Sequence, residues 1–596
     1  MRNTLRLSLF AAALLCGVSS PSLAQTQPPV TAPATSADAR LKALYEGYAD
    51  WDQKQSGFFV DAKGENQSAG YLPKVDPATQ LARAGFEQDL LDQLNAIPVA
   101  NLSPGEKVNA DVLRAILEAA VTDAKFHDWE MPANSDSNFW TYLNERESLP
   151  DAAAYERYIA RMRDIPRYFG EEIANMRAGL KRGFTPPQAT LAGRDGSIAS
   201  FVKPAEQSAF YDAFRTMPST ISAADQEKLR AEAKAAIDQA VVPAYQNLLT
   251  FYRGTYVPGT RKTTGAHDLP NGDAYYQAQI RKFTTLDLTP EQIHQIGLQQ
   301  VALIQAQMDQ TMKDSGFKGT FPEFLHFLKT DPQFIARKPD DLLGVSAYTA
   351  KRVDGKLKDY FEVLPRYRFA IIPVPEALAP FYTSGRGGLE ACQMNTYDLP
   401  SRPLYNIPVL TMHECTPGHS FQAAIAKEGS TLPRFRRNIY FSGYGEGWGL
   451  YCEWLGNEMG IYRTPYEKFG QQSYAMWRAV RLVIDTGIHH YGWSRQQAID
   501  YLASHTALSN HEVETEVDRY ISWPGQALSY MLGELEIRRL RAEAEQQLGT
   551  RFDIKKFHTM LLGLGSVPLP TLEDQVHAFI AASKAAPTPA PAQALR

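Results

Sequence analysis

The chain has 596 residues, 44% of them hydrophobic, and a net charge of −5. That is ample for a large core, and too long for one compact unit unless the chain is an elongated helical array. A pI of about 6.2 and the absence of Lys/Arg blocks argue against nucleic-acid binding. Residues 1–24 read as a secretory signal, with Arg2 and Arg6, an apolar run from Leu7 to Val18, and Ser22-Leu23-Ala24 before Gln25. Cys16 follows Leu14-Leu15 rather than the small residue that lipoprotein processing requires, so lipidation is not expected. No other run approaches 18 consecutive apolar residues, so no membrane span is expected. The mature protein is expected in the periplasm or outside the cell.

Residues 25–37 are a Pro/Thr/Ala spacer with nothing to bury, and 585–596 form a similar Pro/Ala tail. Between them helical periodicity prevails. Ser103-Pro104-Gly105-Glu106 has the pattern of a capping box and opens a helix through Leu113 and Val121. Asp151 starts another, which Pro166 is expected to kink or divide. Residues 223–253 read as one long helix interrupted near Pro243. Thr289-Pro290-Glu291-Gln292 and Ser494-Arg495-Gln496-Gln497 open two more. Strand signal is sparse: Phe369–Val374 and Cys392–Tyr397 are the best candidates, and the second reads equally as an edge strand for an extended peptide or as ordinary scaffold. The fold expected is mostly α, with an N-terminal helical lobe over 38–255 and a metal-bearing lobe over 256–584.

The chemistry concentrates in His413-Glu414-Cys415-Thr416-Pro417-Gly418-His419. Two imidazoles can ligate Zn²⁺, and the adjacent Glu414 can act as general base toward an activated water. The second His stands at i+6, roughly 240° around and about 9 Å along an ideal helix, so an undisturbed helix could not bring both to one ion. Pro417 and Gly418 lie inside the interval, and a helix bulged or overwound there would close the gap. A third ligand is sought downstream, where Glu446 sits in the apolar, Gly-rich run Gly443-Tyr444-Gly445-Glu446-Gly447-Trp448-Gly449. Burying an unpaired carboxylate there would be costly, and a cation removes the cost. Glu453, two helical turns further, is either a partner for a ligand imidazole or the ligand itself. Glu446 is preferred.

Together, H-E-x-x-P-G-H-x-x-Q and E-G-W-x-x-Y-x-E resemble a bacterial family catalogued as domain of unknown function eight-eight-five (DUF885), whose members look like zinc metallopeptidases. Leu269–Tyr276, Leu288–His294, Asp485–His489, Arg519-Tyr520 and Pro524–Ala527 extend the resemblance over most of the chain after about residue 40. Ser420 departs from the family, which often has a second His there, and Cys415 occupies a position that varies. The resemblance implies a two-lobed helical architecture around a deep cleft. Arg519-Tyr520 is also similar to the Arg-Tyr step of angiotensin-converting-enzyme-like peptidases, which implies Tyr520 as oxyanion donor and Arg519 as its charge partner.

His489 stands four residues after Asp485, on one helical face, where the carboxylate could set the tautomer of an imidazole that binds substrate or moves a proton. A helix-surface ion pair explains the same spacing. His511 is a weaker competitor in a loop-like acidic stretch, while Tyr530 and Gln526 are cleft-lining candidates from the family pattern alone. Three cysteines remain after the signal, Cys392, Cys415 and Cys452, so at most one disulfide forms. Cys392–Cys452 is a candidate pairing, and Cys415 as a metal ligand is a minor alternative. Gly385-Arg386-Gly387-Gly388 lacks the Lys-Ser/Thr of a phosphate loop, and no G-x-S-x-G is present. The expected protein is an exported zinc peptidase with His413, His419 and Glu446 as ligands, acting on a peptide. A zinc amidase or esterase for a small molecule, or a non-catalytic peptide-binding protein, are the alternatives.

Overall fold

The computed structural model describes residues 36–586 apart from 61–65, 146, 377–378 and 430. The expected signal segment and nearly all of the spacer lie outside the described residues, as does the tail beyond 586. Ser36 already caps the first helix, and the last, Leu569–Ala585, reaches the start of the expected tail.

The mostly α-helical fold expected from periodicity is what forms. The helices that matter below are α1 (Ala37–Gln55), α2 (Pro104–Phe126), α3 (Ala152–Arg182), α4 (Pro290–Asp314), α5 (Ile407–Glu414), α6 (His419–Glu428), α7 (Ser442–Glu458), α8 (Pro465–His489), α9 (Asn510–Ser522) and α10 (Ser529–Leu548). Start signals are largely honoured: Thr289 and Gln292 form a reciprocal capping box on α4, with Pro290 at its first position. Ser103 departs from its expected role. α2 begins at Pro104, but the Ser103 side chain makes no capping bond, and the reciprocal half of the box is missing too, since the Ser103 N–H donates to Asp38 at 2.9 Å and the Glu106 carboxylate accepts from the Tyr45 hydroxyl of α1 at 3.2 Å.

Of two expectations about proline, the division at Pro166 is corrected and the interruption near Pro243 is met. Pro166 neither ends nor divides α3, which runs unbroken for 31 residues. The stretch from 223 is interrupted near Pro243 by a five-residue π-helical stretch, Ile237–Val241, and a second follows at Tyr252–Tyr256. Widened turns of this kind re-route carbonyls that the regular ladder would leave orphaned.

Three hydrophobic cores result. One is formed by residues between Leu72 and Tyr256. A second joins Leu41 to Leu117, from the N-terminal helices, to Trp448, Leu455, Leu561 and Val576. The third surrounds α8, whose residues from Phe469 to His489 are almost all buried and which packs along α4. A boundary at residue 255 therefore cuts through the second core, because α1 and α2 pack with the C-terminal helices.

Strands are few. β1 (Phe58–Val60) and β2 (Asn66–Ser68) form a small antiparallel pair. β3 (Ala370–Pro373), β4 (Gly385–Arg386) and β5 (Ala391–Met394) form a sheet in the order β3-β5-β4. β5 is thus central, with both edges taken, and the expected edge role for Cys392–Tyr397 is corrected. The outer edges belong to β3 and β4.

Candidate metal centre

α5 is buried from Ile407 to His413, and its end delivers the motif. It stops at Glu414, the chain turns through Cys415–Gly418, and α6 starts afresh at His419. The helix is therefore broken rather than bulged, and two separate helices aim the two imidazoles. The turn is pinned from three sides. Cys415 and Thr416 donate their backbone N–H groups to Thr411, at 3.0 and 3.2 Å. The Trp448 indole donates to the Pro417 carbonyl at 3.0 Å. Cys415 is joined to Cys392 of β5 by a disulfide. That pairing replaces the expected Cys392–Cys452 bridge and removes Cys415 as a ligand, while Cys452 is a buried free thiol within α7.

α7 supplies the carboxylates. Glu446 Oε2 lies 3.6 Å from His413 Nε2 and 3.4 Å from His419 Nε2, and the two rings stand nearly perpendicular, 4.8 Å apart. One ligand atom from each of the three residues falls within 4.8 Å of the others. Such a spacing suits a tetrahedral Zn²⁺ with bonds of about 2.0–2.2 Å. Two turns along α7, Glu453 Oε1 accepts from His413 Nδ1 at 2.8 Å, which leaves Nε2 as the face toward the cluster. Gly449, between the two acids, gives the ring its space: a Cβ there would lie 2.6–2.9 Å from the imidazole atoms.

The electrostatics of this cluster call for a cation. Burial pushes the His413 imidazolium down, but hydrogen bonding to Glu446 and Glu453 and the charge of Glu414 outweigh it, leaving a pKa of about 10. Burial pushes Glu446 up, yet the two histidines hold it well below the usual carboxylate range. A proton is what satisfies these groups when no metal does, so the donor set fits a dication.

Glu414 stands beside the cluster, and its Oε2 accepts from the Gly387 N–H at 2.7 Å. Gly387 follows β4 and passes so close to the motif that a Cβ would lie 2.0 Å from the Glu414 carbonyl oxygen. The glycine run without a phosphate-loop lysine is thus a brace for Glu414, a role that its sequence did not announce. Tyr440 also went unnoticed, as one of 29 tyrosines with no motif of its own. It is 56% exposed, and its phenol faces Glu446.

Not every expected residue reaches this site. His489 is fully buried outside the cavity: its Nδ1 accepts from the Ala266 N–H at 3.0 Å and its Nε2 donates to the Tyr520 carbonyl at 2.9 Å. Both nitrogens are spent, and burial drops its pKa to about 3, so it is a neutral internal tie. Asp485 does not pair with it and instead accepts from the Tyr276 hydroxyl at 2.6 Å and the Gly525 N–H at 3.1 Å. The Tyr520 hydroxyl, 1% exposed as a residue, accepts from Trp477 Nε1 and Arg481 Nε, both at 2.9 Å. It lies behind the wall, and the expected oxyanion role is corrected. Arg519 does line the cavity, where its Nη2 donates to Gln526 at 3.1 Å and the Tyr530 hydroxyl at 3.3 Å. Tyr530 and His511 line it too, and His511 sits in the first turn of α9 rather than in a loop.

The cavity itself measures about 2280 Å³ and takes its walls from α1, residues 135–144, residues 193–201, the β4 edge, and the helices around the cluster. His413, Glu414, His419 and Glu446 all face it.

Fold and site together define a large helical protein with a His/His/Glu cluster and a neighbouring glutamate on the wall of a large cavity. Over residues 55–576 the chain matches, and belongs to, the bacterial family of unknown function DUF885. A protein of Colwellia psychrerythraea provisionally named a lipoprotein has a similar solved structure, with a TM-score of 0.86 and 26% identity, covering 92% of this chain and 100% of that one. A provisionally named lipoprotein of unknown function from Shewanella oneidensis shares the fold at a TM-score of 0.64 and 17% identity, covering 91% and 99%. No curated protein matches the chain.

Proposed function

We propose that this protein is an exported zinc peptidase. The observation that carries the reading is the convergence of His413, His419 and Glu446 from three helices, with Glu414 held beside them by a backbone amide. A structural site would have no use for that fourth carboxylate, whereas hydrolysis needs a base beside an open metal position. When bound, Zn²⁺ would supply Lewis acidity at a carbonyl and lower the pKa of a coordinated water.

The remaining work falls to the chain. Glu414 takes the proton of the attacking water and later returns it to the leaving amine, and Gly387 fixes which carboxylate oxygen is free to do so. Glu453 holds His413 in the tautomer that offers Nε2. Tyr440 and Tyr530, both on the cavity wall, replace Tyr520 as donors for charge developing on the carbonyl oxygen. The cavity, at about 2280 Å³, exceeds the ~300–1,000 Å³ usual for small-molecule sites, which favours a peptide over a small amide or ester. Among the described residues no helix is long and apolar enough to cross a membrane. Export draws its support from the N-terminal sequence and from the names of the two solved relatives.

Mass spectrometry of a defined peptide mixture tests the proposal, with zinc-loaded protein and Glu414→Gln in parallel. The expected outcome is cleavage by the wild type and a loss of about 10²-fold or more in the variant, with equal zinc content in both. Intact peptides in both tubes at one zinc per chain would refute a peptidase.

A further inference from the structure

Beside the metal cluster the cavity wall carries more buried positive charge than its own carboxylates neutralise. α8 contributes Arg478 and Arg481, which are 5% and 2% exposed, and α9 contributes Arg519; all three line the cavity. Their acidic partners are two. Glu516 accepts from Arg481 at 2.8 Å and lies 3.7 Å from Arg519. Glu453 lies 3.5 Å from Arg478, but the same oxygen is already engaged by His413. Asp136, also on the cavity wall, acts on Arg519 electrostatically without an ion pair among those described. Arg478 Nε and Arg481 Nη1 are buried with no hydrogen-bond partner among the described residues.

Three guanidinium groups thus share Glu516, one oxygen of Glu453 and the more distant charge of Asp136. Their remaining support is neutral: the Tyr474 carbonyl accepts from Arg478, the Tyr520 hydroxyl from Arg481, and Gln526 and the Tyr530 hydroxyl from Arg519, while ring faces lie against Arg481, whose Cζ is 4.6 Å from the Trp477 centroid and 4.5 Å from that of Tyr530. Charge buried in this way is costly unless an anion arrives to pair with it. Arg519 is the accessible member, with a side chain 28% exposed. The cluster also adjoins the metal ligands, since Arg478 is separated from His413 by Glu453 alone.

We propose that Arg519, backed by Arg478 and Arg481, receives the free C-terminal carboxylate of a peptide, so that the cavity reads the carboxyl end of its substrate. A planar monoanion matches the fork of a guanidinium. The proposal rests on the peptidase reading for its substrate, but it is tested by binding alone. Full-length, zinc-loaded Glu414→Gln is titrated calorimetrically with an acetylated tetra-alanine peptide as the free acid and as the carboxamide. Neither ligand has an acidic side chain, so only the terminal group differs.

The free acid is expected to bind about tenfold or more tightly than the amide, the scale of one charge-assisted hydrogen bond. Adding Arg519→Gln is expected to erase the difference, and Arg519→Lys to restore part of it. Equal affinity for acid and amide, or no binding of either, overturns the proposal, as does an undiminished preference in an Arg519→Gln protein that melts like its parent. Should Arg519→Gln fail to fold, the acid–amide comparison and Arg519→Lys decide. The same two peptides given to the wild type separate the two claims. Preferential binding of the acid without cleavage leaves the carboxylate site and removes the peptidase. Cleavage of both at equal rates and affinities does the reverse.

Discussion

Glu453 is buried to within 1% of full coverage, and its oxygen on His413 Nδ1 sets which nitrogen of that imidazole faces Glu446. The carboxylate also makes the ring a better donor, an effect worth about 10–100-fold in metal affinity at comparable sites. Glu453→Gln keeps the size and the acceptor but removes the charge. Zinc affinity measured by competition with a chelator should fall within that range, with the fold retained. Sequence spacing made this residue visible, because an acid two turns after Glu446 must share its face of a helix. The same reasoning misled at His489: an i,i+4 acid is only an opportunity, and Asp485 spends its oxygens on Tyr276 and Gly525 instead. Tyr520 failed for a related reason, since adjacency to Arg519 says nothing about which side of a helix faces the cavity.

At the scale of elements, the centre is a junction of α5, α6, α7 and the β4–β5 hairpin. The Cys392–Cys415 disulfide ties that hairpin to the turn between α5 and α6 and closes a loop with a sequence separation of 23. Such a cross-link stabilises by about 3 kcal/mol on the chain-entropy account. A Cys392→Ser/Cys415→Ser double variant should lose stability on that scale in urea titration. Cys452→Ser should leave both native cysteines resistant to alkylation. Helix positions and caps were legible because period and start signals are local. The pairing of three cysteines was not, because it depends on which segments meet, and Pro417-Gly418 announced a distortion without saying that the helix would stop.

Across the whole molecule, two histidines that the fold keeps neutral contribute to the dependence of stability on acid. Burial lowers His489 and His558 to about 3, from an ordinary value of 6.5. Between those values the unfolded chain binds a proton at each and the folded protein does not, so their contribution is complete above pH 6.5 and is lost as the pH falls toward 3. Buried Asp485, raised to about 7, works oppositely: its folded form keeps a proton that the unfolded chain releases, so its contribution declines as pH rises from 4 to 7. Comparison with a variant isolates the histidine term. Melting temperatures measured at pH 4, 5 and 7 should fall more steeply with acid in the wild type than in His489→Gln, whose amide can both accept and donate.

The sequence by itself determined the helical class, most helix starts, and the residues that meet in the His413/His419/Glu446 cluster with Glu414 beside it, because periodicity, capping and the chemistry of donor groups are properties of short stretches. Only the tertiary structure decided how α1 and α2 join the C-terminal core, which cysteines pair, that Gly387 braces Glu414, and that three arginines crowd one wall of the cavity. Each of those depends on contacts between segments tens to hundreds of residues apart, and no local pattern encodes the packing that brings them together.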